Sequence, residues 1–287
     1  NQFDPALYPF HPTVYNESPV RLYTALQDAD RVLAVSATTL ITTTVLNGLK
    51  EDSFLASGQF TSTLPAQLGG TTVNDNFTLL PTQYTTISQL ATAQPANETV
   101  TVTTAVAANI IPVGNLRAPT DSDITLDDPI AVTIDSDNPA APTLTLGAFL
   151  EPGVDVIIGG AASDPTSYVA LVEVSVDGGS FITATGTNLW AFPLSVPNAP
   201  SGTAVPITIR ATDAVGHTTS ANFSLTVDGT APNTAVNLAP NDTRVVRRNA
   251  NGDWTLALSG SSADALAGIG DVSLQIGASH AVTVPNA

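Results

Sequence analysis

Hydrophobic and polar residues alternate with a period of two through much of this chain. Thr99-Val100-Thr101-Val102-Thr103-Thr104-Ala105-Val106 switches between polar and apolar side chains, which predicts a strand with one wet face. Val32 to Ile41 is also β-like, because valine and threonine suit a pleated, half-buried surface. Thr143–Leu146, Val154–Gly159, Val169–Val176, Phe181–Thr185, Leu189–Ser195, Ala204–Thr212 and Ala221–Asp228 read as short strands separated by turn signals. Asp177-Gly178-Gly179 is the strongest of those turns, since glycine takes positive φ at little steric cost. Trp190, Phe192 and Leu194 share one face of their strand, which predicts a core position for Trp190. Val20 to Ala29, opened by Ser18-Pro19, offers a short helix instead.

The pattern repeats. Gly160-Ala161-Ala162-Ser163-Asp164 returns as Gly260-Ser261-Ser262-Ala263-Asp264, 100 positions later. At the same offset Val172-Glu173-Val174-Ser175-Val176 returns as Val272-Ser273-Leu274-Gln275-Ile276. Ala141-Pro142 returns as Ala231-Pro232, so the second copy carries an enlarged polar loop over Asn241 to Asp253. Counterparts of Asn188 to Asp228 are missing from it, and an incomplete sandwich leaves unpaired edges and an open apolar face. Trp254, Leu256, Leu258, Val272, Leu274 and Ile276 are expected to line that face and to be covered by another polypeptide. Residues 1–19 form an extended arm in which Phe3, Tyr8, Phe10 and Tyr15 are interleaved with prolines. This arm is either packed on its own domain or donated to a neighbouring subunit.

Charge narrows the function. Twenty-five acidic against eight basic side chains give a formal net charge of −17. That field repels phosphate backbones and anionic membranes and attracts cations, so nucleic acid is disfavoured as a partner. Cysteine is absent, which excludes disulfides and thiolate metal sites. No uninterrupted apolar stretch approaches the roughly 18 to 20 residues needed to span a bilayer. Arg244, Arg247 and Arg248 cluster in the enlarged loop, either solvated or facing an acidic neighbour.

The expected order is a 1–19 arm, a mostly-β domain over 20–115, an acidic linker or strand over 116–138, a sandwich over 139–229 and a partial module over 230–287. Within it, Val172 to Gly179, then Trp190, then Ile209-Arg210-Ala211-Thr212-Asp213-Ala214-Val215-Gly216, then Val227 to Pro232, resembles the bacterial Ig-like repeat modules of large cell-surface proteins. The resemblance covers 139–229 well and 230–287 partially. It implies tandem Ig-like β-sandwiches, the last incomplete, and with the strand pattern of 20–115, which lies outside the resemblance, the expected fold is all-β with a separate mostly-β N-terminal domain. Such modules serve as spacers, adhesin stalks, assembly units and enzyme accessories, and some bind calcium between repeats.

Asp135, Asp137, Asp164, Asp213 and Asp228 sit at predicted strand ends and are the candidate Ca²⁺ ligands, because calcium takes six to eight hard oxygens. Otherwise they cap turns. Asp213 and His217 are close in sequence, yet no Gly-x-Ser-x-Gly elbow accompanies them, and His217 reads as a turn residue. Zinc needs clustered ligands, and His11, His217 and His280 are scattered. Asn16, Asn76, Asn97, Asn222 and Asn241 stand in glycosylation sequons. The expected protein is therefore extracellular or on the cell surface, and not an enzyme. It is a filament or layer subunit that exchanges strands with copies of itself or with other surface proteins. The alternatives are a fragment of a multi-module adhesin or stalk acting as a rigid spacer, and a non-catalytic accessory region of a secreted enzyme.

Overall fold

The alternating runs fold as strands, and the chain is all-β. The computed structural model describes residues 20–27, 31–48, 54–112, 123–237, 247–248, 250–252, 254–255, 258–275 and 282–284. The first strands are β1 (Val20–Leu26), β2 (Val32–Ala34), β3 (Thr38–Asn47), β4 (Phe54–Thr63), β5 (Thr72–Leu79), β6 (Tyr84–Thr92), β7 (Glu98–Pro112), β8 (Asp123–Asp127) and β9 (Ile130–Asp135). One sheet has the order β1-β3-β6, the other β2-β9-β7-β4-β5 with β8 also on β7. Only apolar positions spaced by two can meet across such sheets. Accordingly Val20 and Leu22 of β1, Ala56 and Phe60 of β4 and Val106, Ala108 and Ile110 of β7 share one buried cluster. Leu33, Ile41, Val102, Val132 and Ile134 share a second, so the long strand β7 serves both.

Two expectations change here. Val20 to Leu26 is a strand, not the start of a helix. Val20, Leu22 and Thr24 fall on its buried face, and Val20 pairs with Asn47, so tertiary burial at period two overrides the proline start signal. Val32 to Ile41 is broken into β2 and β3 by a turn in which Ser36 has φ of 67°. Of the two readings of 116–138, acidic linker or strand, the described part takes the second: β8 and β9 both pair with β7.

Next come β10 (Phe149–Leu150), β11 (Asp155–Ala161), β12 (Val169–Val176), β13 (Ile182–Thr183), β14 (Leu189–Ser195), β15 (Ala204–Asp213) and β16 (Thr218–Val227). One sheet runs β10-β16-β15-β12-β13, and β11 pairs with β14 in another. Val172 and Val174, Ile207 and Ile209, and Trp190, Phe192 and Leu194 are buried. Trp190, at 3% exposure, is a core anchor as its alternation predicts. Asp177 and Gly178 take φ of 51° and 70°, the positive values that a tight hairpin turn demands.

The last strands are β17 (Asn233–Val236), β18 (Arg247–Arg248), β19 (Trp254–Thr255), β20 (Gly260–Ala263), β21 (Val272–Leu274) and β22 (Val282–Val284). They pair as β17–β20, β18–β19 and β21–β22, each antiparallel. The chain packs as two compact units, one of residues 1–140, 163–170 and 211–219, the other of 141–162, 171–210 and 220–287. The site described next lies wholly within the first.

Candidate functional site

Two strands deliver carboxylates to a dry place. In β9, Ile130, Val132 and Ile134 are buried, and Asp135 after them is 0% exposed. Its Oδ1 accepts the Asp137 amide at 3.0 Å. Its Oδ2 is buried with no hydrogen-bond partner among the described residues. In β15, Val205, Ile207, Ile209, Ala211 and Asp213 occupy one buried face, so the strand's own period carries Asp213 inward.

The β15–β16 turn then closes on that carboxylate. Asp213 Oδ1 accepts the amides of Val215 at 2.9 Å, Gly216 at 2.7 Å and His217 at 2.9 Å. Gly216, at φ of 96°, makes this turn possible. Asp213 Oδ2 stands 3.0 Å from His217 Nδ1. The His217 side chain is 31% exposed while that of Asp213 is 0% exposed, so the imidazole forms the solvent-side wall. One ligand-type atom from each of Asp135, Asp213 and His217 lies within 4.8 Å of the other two.

A hydrogen-bonded belt fixes the segment after β9. Asn97 Nδ2 donates to Asp137 Oδ1 at 2.8 Å. Ser136 donates its amide and its hydroxyl to Asn97 Oδ1 at 2.7 and 2.6 Å. Thr166 Oγ1 donates to Asp137 Oδ2 at 3.0 Å, and the Ala140 amide donates to Ser163 O at 2.9 Å. Asp164 Oδ1 accepts the amides of Thr166 and Ser167 at 2.9 and 2.6 Å. Asp164 Oδ2 is a second buried oxygen with no partner among the described residues.

The five candidate aspartates thus have different surroundings. Asp135 and Asp213 come together with a histidine. Asp137 and Asp164 are joined through Thr166. Asp228 caps a turn, accepting the Thr230 amide at 3.0 Å on Oδ1 and the Ala267 amide at 3.0 Å on Oδ2. From its sequence His217 is expected to be a turn residue. It is one, but its ring also meets Asp213 Oδ2, and the four-residue spacing across Gly216 was the available signal.

Of the other singled-out residues, Phe3, Tyr8, Phe10, Tyr15, Asn16, Asn241, Arg244, Leu256, Ile276 and His280 lie outside the described residues, as does His11. Trp254 is in β19, and Leu258, Val272 and Leu274 are half-buried. Asn76, Asn97 and Asn222 are exposed. A glycan on Asn97 would attach at the nitrogen that donates to Asp137 and leave it one hydrogen.

The sequence repeat is also a repeat in space. Asp264 Oδ1 accepts the amides of Leu266 at 2.9 Å and Gly268 at 3.1 Å, as Asp164 Oδ1 accepts those of Thr166 and Ser167. The Leu266 amide foremost, helped by those of Gly268 and Ala267, holds the Asp264 carboxyl below its ordinary value against an opposing effect of desolvation. Gly160 and Gly260 are alike too. A Cβ on Gly160 would meet the Thr143 carbonyl, and one on Gly260 would meet the Ala235 carbonyl. In each copy a leading segment thus crosses a glycine that admits it closely.

No protein-family profile matches this chain, and no curated protein sequence does. Solved structures similar to it include the fibronectin(III)-like modules of Clostridium thermocellum CbhA. The identity is 14%, the match covers 71% of this chain and 93% of that one, and the TM-score is 0.30. A 1.5-MDa bacterial ice-binding adhesin matches at 15% identity over 79% of this chain and 71% of that one, with a TM-score of 0.37. A tetra-tandem repeat from the extending region of a large adhesion protein matches at 16% identity over 92% and 61%, with a TM-score of 0.27. Among the described residues, no helix is long and apolar enough to cross a membrane.

Proposed function

We propose that this chain is a stretch of an extracellular or cell-surface stalk, in which β-modules of one design follow one another as non-catalytic spacers. The observation that carries this reading is the device built twice. Asp164 and Asp264 each accept the amide two positions on, and Gly160 and Gly260 each lie against a carbonyl of the leading segment, that of Thr143 and that of Ala235. A module reused in tandem extends reach by repetition, and its chemistry lies in its joints and tips rather than in a pocket. The belt around Asn97, Asp137 and Thr166 supports the same reading, because it fixes the segment leaving β9. A net charge of −17 suits a solvated surface polymer.

Strand exchange into a filament rests on the 1–19 arm, which lies outside the described residues, and on a face of which Leu256 and Ile276 do too, so the stalk reading takes precedence. Small-angle scattering of the purified chain at rising concentration, with electron micrographs, tests it. The expected result is an elongated monomer at every concentration. Concentration-dependent filaments or sheets would overturn the spacer in favour of the assembling subunit. A parent reading frame with further Ala-Pro-bounded copies is the second expected result.

A further inference from the structure

We infer that Asp135, Asp213 and His217 form a binding site for a divalent transition-metal ion of the zinc type. This inference does not depend on the stalk reading. The clustering is one observation, with donor-type atoms of all three within 4.8 Å of one another. The second is independent: Asp135 is 0% exposed and its Oδ2 has no hydrogen-bond partner among the described residues. A buried ionised carboxylate without a partner is costly, and a second carboxylate beside it makes the cost larger. A cation supplies the partner that Asp135 Oδ2 lacks and offsets the charge of the two neighbouring carboxylates.

Asp213 is prepared for this role. Its Oδ1 is taken up by three backbone amides, which fix the carboxylate's orientation and aim Oδ2 at the imidazole, to which it is hydrogen-bonded until an ion takes the proton's place. His217 Nδ1 sits 3.0 Å from that Oδ2. Two ligands at 2.0 to 2.2 Å from one zinc ion stand roughly 3.4 Å apart in a tetrahedron. Gathering three atoms already within 4.8 Å takes shifts on the order of an ångström. When the ion binds, Nδ1 must be unprotonated, and the ring proton moves to Nε2 by exchange with water. The half-exposed imidazole leaves a route in from solvent, and water completes the coordination.

The nitrogen donor decides the class of ion. Calcium prefers six to eight oxygens. Here the set is two carboxylates and an imidazole, which suits zinc and its neighbours. The oxygens of Asp137 already accept bonds from Asn97 and Thr166, and Asp228 caps its own turn, so neither adds oxygens to this set. Counting histidines misses such a site, because one histidine and two aspartates from strands distant in sequence suffice.

The test uses the tag-free full chain stripped with EDTA. Isothermal titration with Zn²⁺ is run on the wild type, Asp135→Asn and His217→Asn, with Ca²⁺ in parallel, and Co²⁺ absorption reports the ligand field. His217→Asn keeps the backbone bonds of the turn, so it remains informative if Asp135→Asn folds poorly. The expected result is one Zn²⁺ per chain, weakened about tenfold or more by either substitution. A Co²⁺ visible band that His217→Asn removes is also expected. Absence of Zn²⁺ binding, equal Zn²⁺ affinity in all three proteins, or Ca²⁺ binding that is tighter and indifferent to His217→Asn would overturn the inference.

Discussion

Gly160 stands so close to Thr143 that a Cβ on the glycine would overlap the threonine carbonyl oxygen and press the Trp190 ring at 2.9 Å. The φ of Gly160 is not positive, so close approach and not backbone freedom demands glycine there. Gly160→Ala is expected to cost about 3 kcal/mol or more, because one obstacle is backbone and the other is the buried Trp190 ring. Gly147→Ala, where the added carbon meets nothing within 4 Å, is expected to leave stability unchanged or slightly raised. Thermal unfolding of the two variants side by side checks the contrast.

Asp213 closes its turn through three amides on one oxygen. Asp213→Ala strands those amides and is expected to lose about 2 to 4 kcal/mol. Asp213→Asn keeps Oδ1 and is expected to lose about 1 kcal/mol. Urea unfolding of the metal-free protein, with unchanged m-values, separates the two.

Arg210 holds Glu173 Oε2 through Nε at 3.0 Å and a terminal nitrogen at 2.7 Å, with its guanidinium carbon 4.0 Å from the centre of the Phe181 ring. Lysine reproduces the charge but neither the fork nor the flat stacking face. Arg210→Lys is expected to destabilise by about 1 kcal/mol, and Glu173→Gln by less. The Arg210→Lys loss should persist in high salt, since stacking is not screened, whereas the Glu173→Gln loss should shrink.

The Asp264 carboxyl is held below its ordinary value of 3.8, first by the Leu266 amide and then by those of Gly268 and Ala267, with desolvation opposing. A depressed folded value means stabilisation that is complete above the unfolded value and lost as pH falls through the folded one. The turn over 264–268 is therefore expected to hold at neutral pH and to loosen only below pH 3.8. NMR titration of the Leu266 amide should show its midpoint below that value, and Asp264→Asn should abolish the transition.

Much of this architecture was legible in the order of residues. Trp190, Phe192 and Leu194 alternate, and they are buried. Asp177-Gly178 announces a hairpin, and both residues take positive φ. The repeat announces itself through Gly160 and Gly260, whose reason for being glycine is steric. What was not legible depends on distant partners. Val20 to Leu26 is drawn into a strand by β3. Asp135 and Asp213 meet because two strands end together, 78 positions apart in sequence, and no spacing rule encodes that. Three scattered histidines carry no linear sign that His217 meets two carboxylates, because such a cluster is assembled only in three dimensions.

The short strand β10 pairs parallel with the last part of β16, Phe149 opposite Thr226 and Leu150 opposite Val227. The Thr226 amide donates to Ala148 O and the Asp228 amide to Leu150 O, both at 2.8 Å. Parallel neighbours that enter and leave a fold this way are hauled in opposite directions when the chain is stretched. Tension along the polypeptide then loads these bonds in shear, all at once, instead of peeling them one after another. A pulled module of this kind resists until the whole clamp yields.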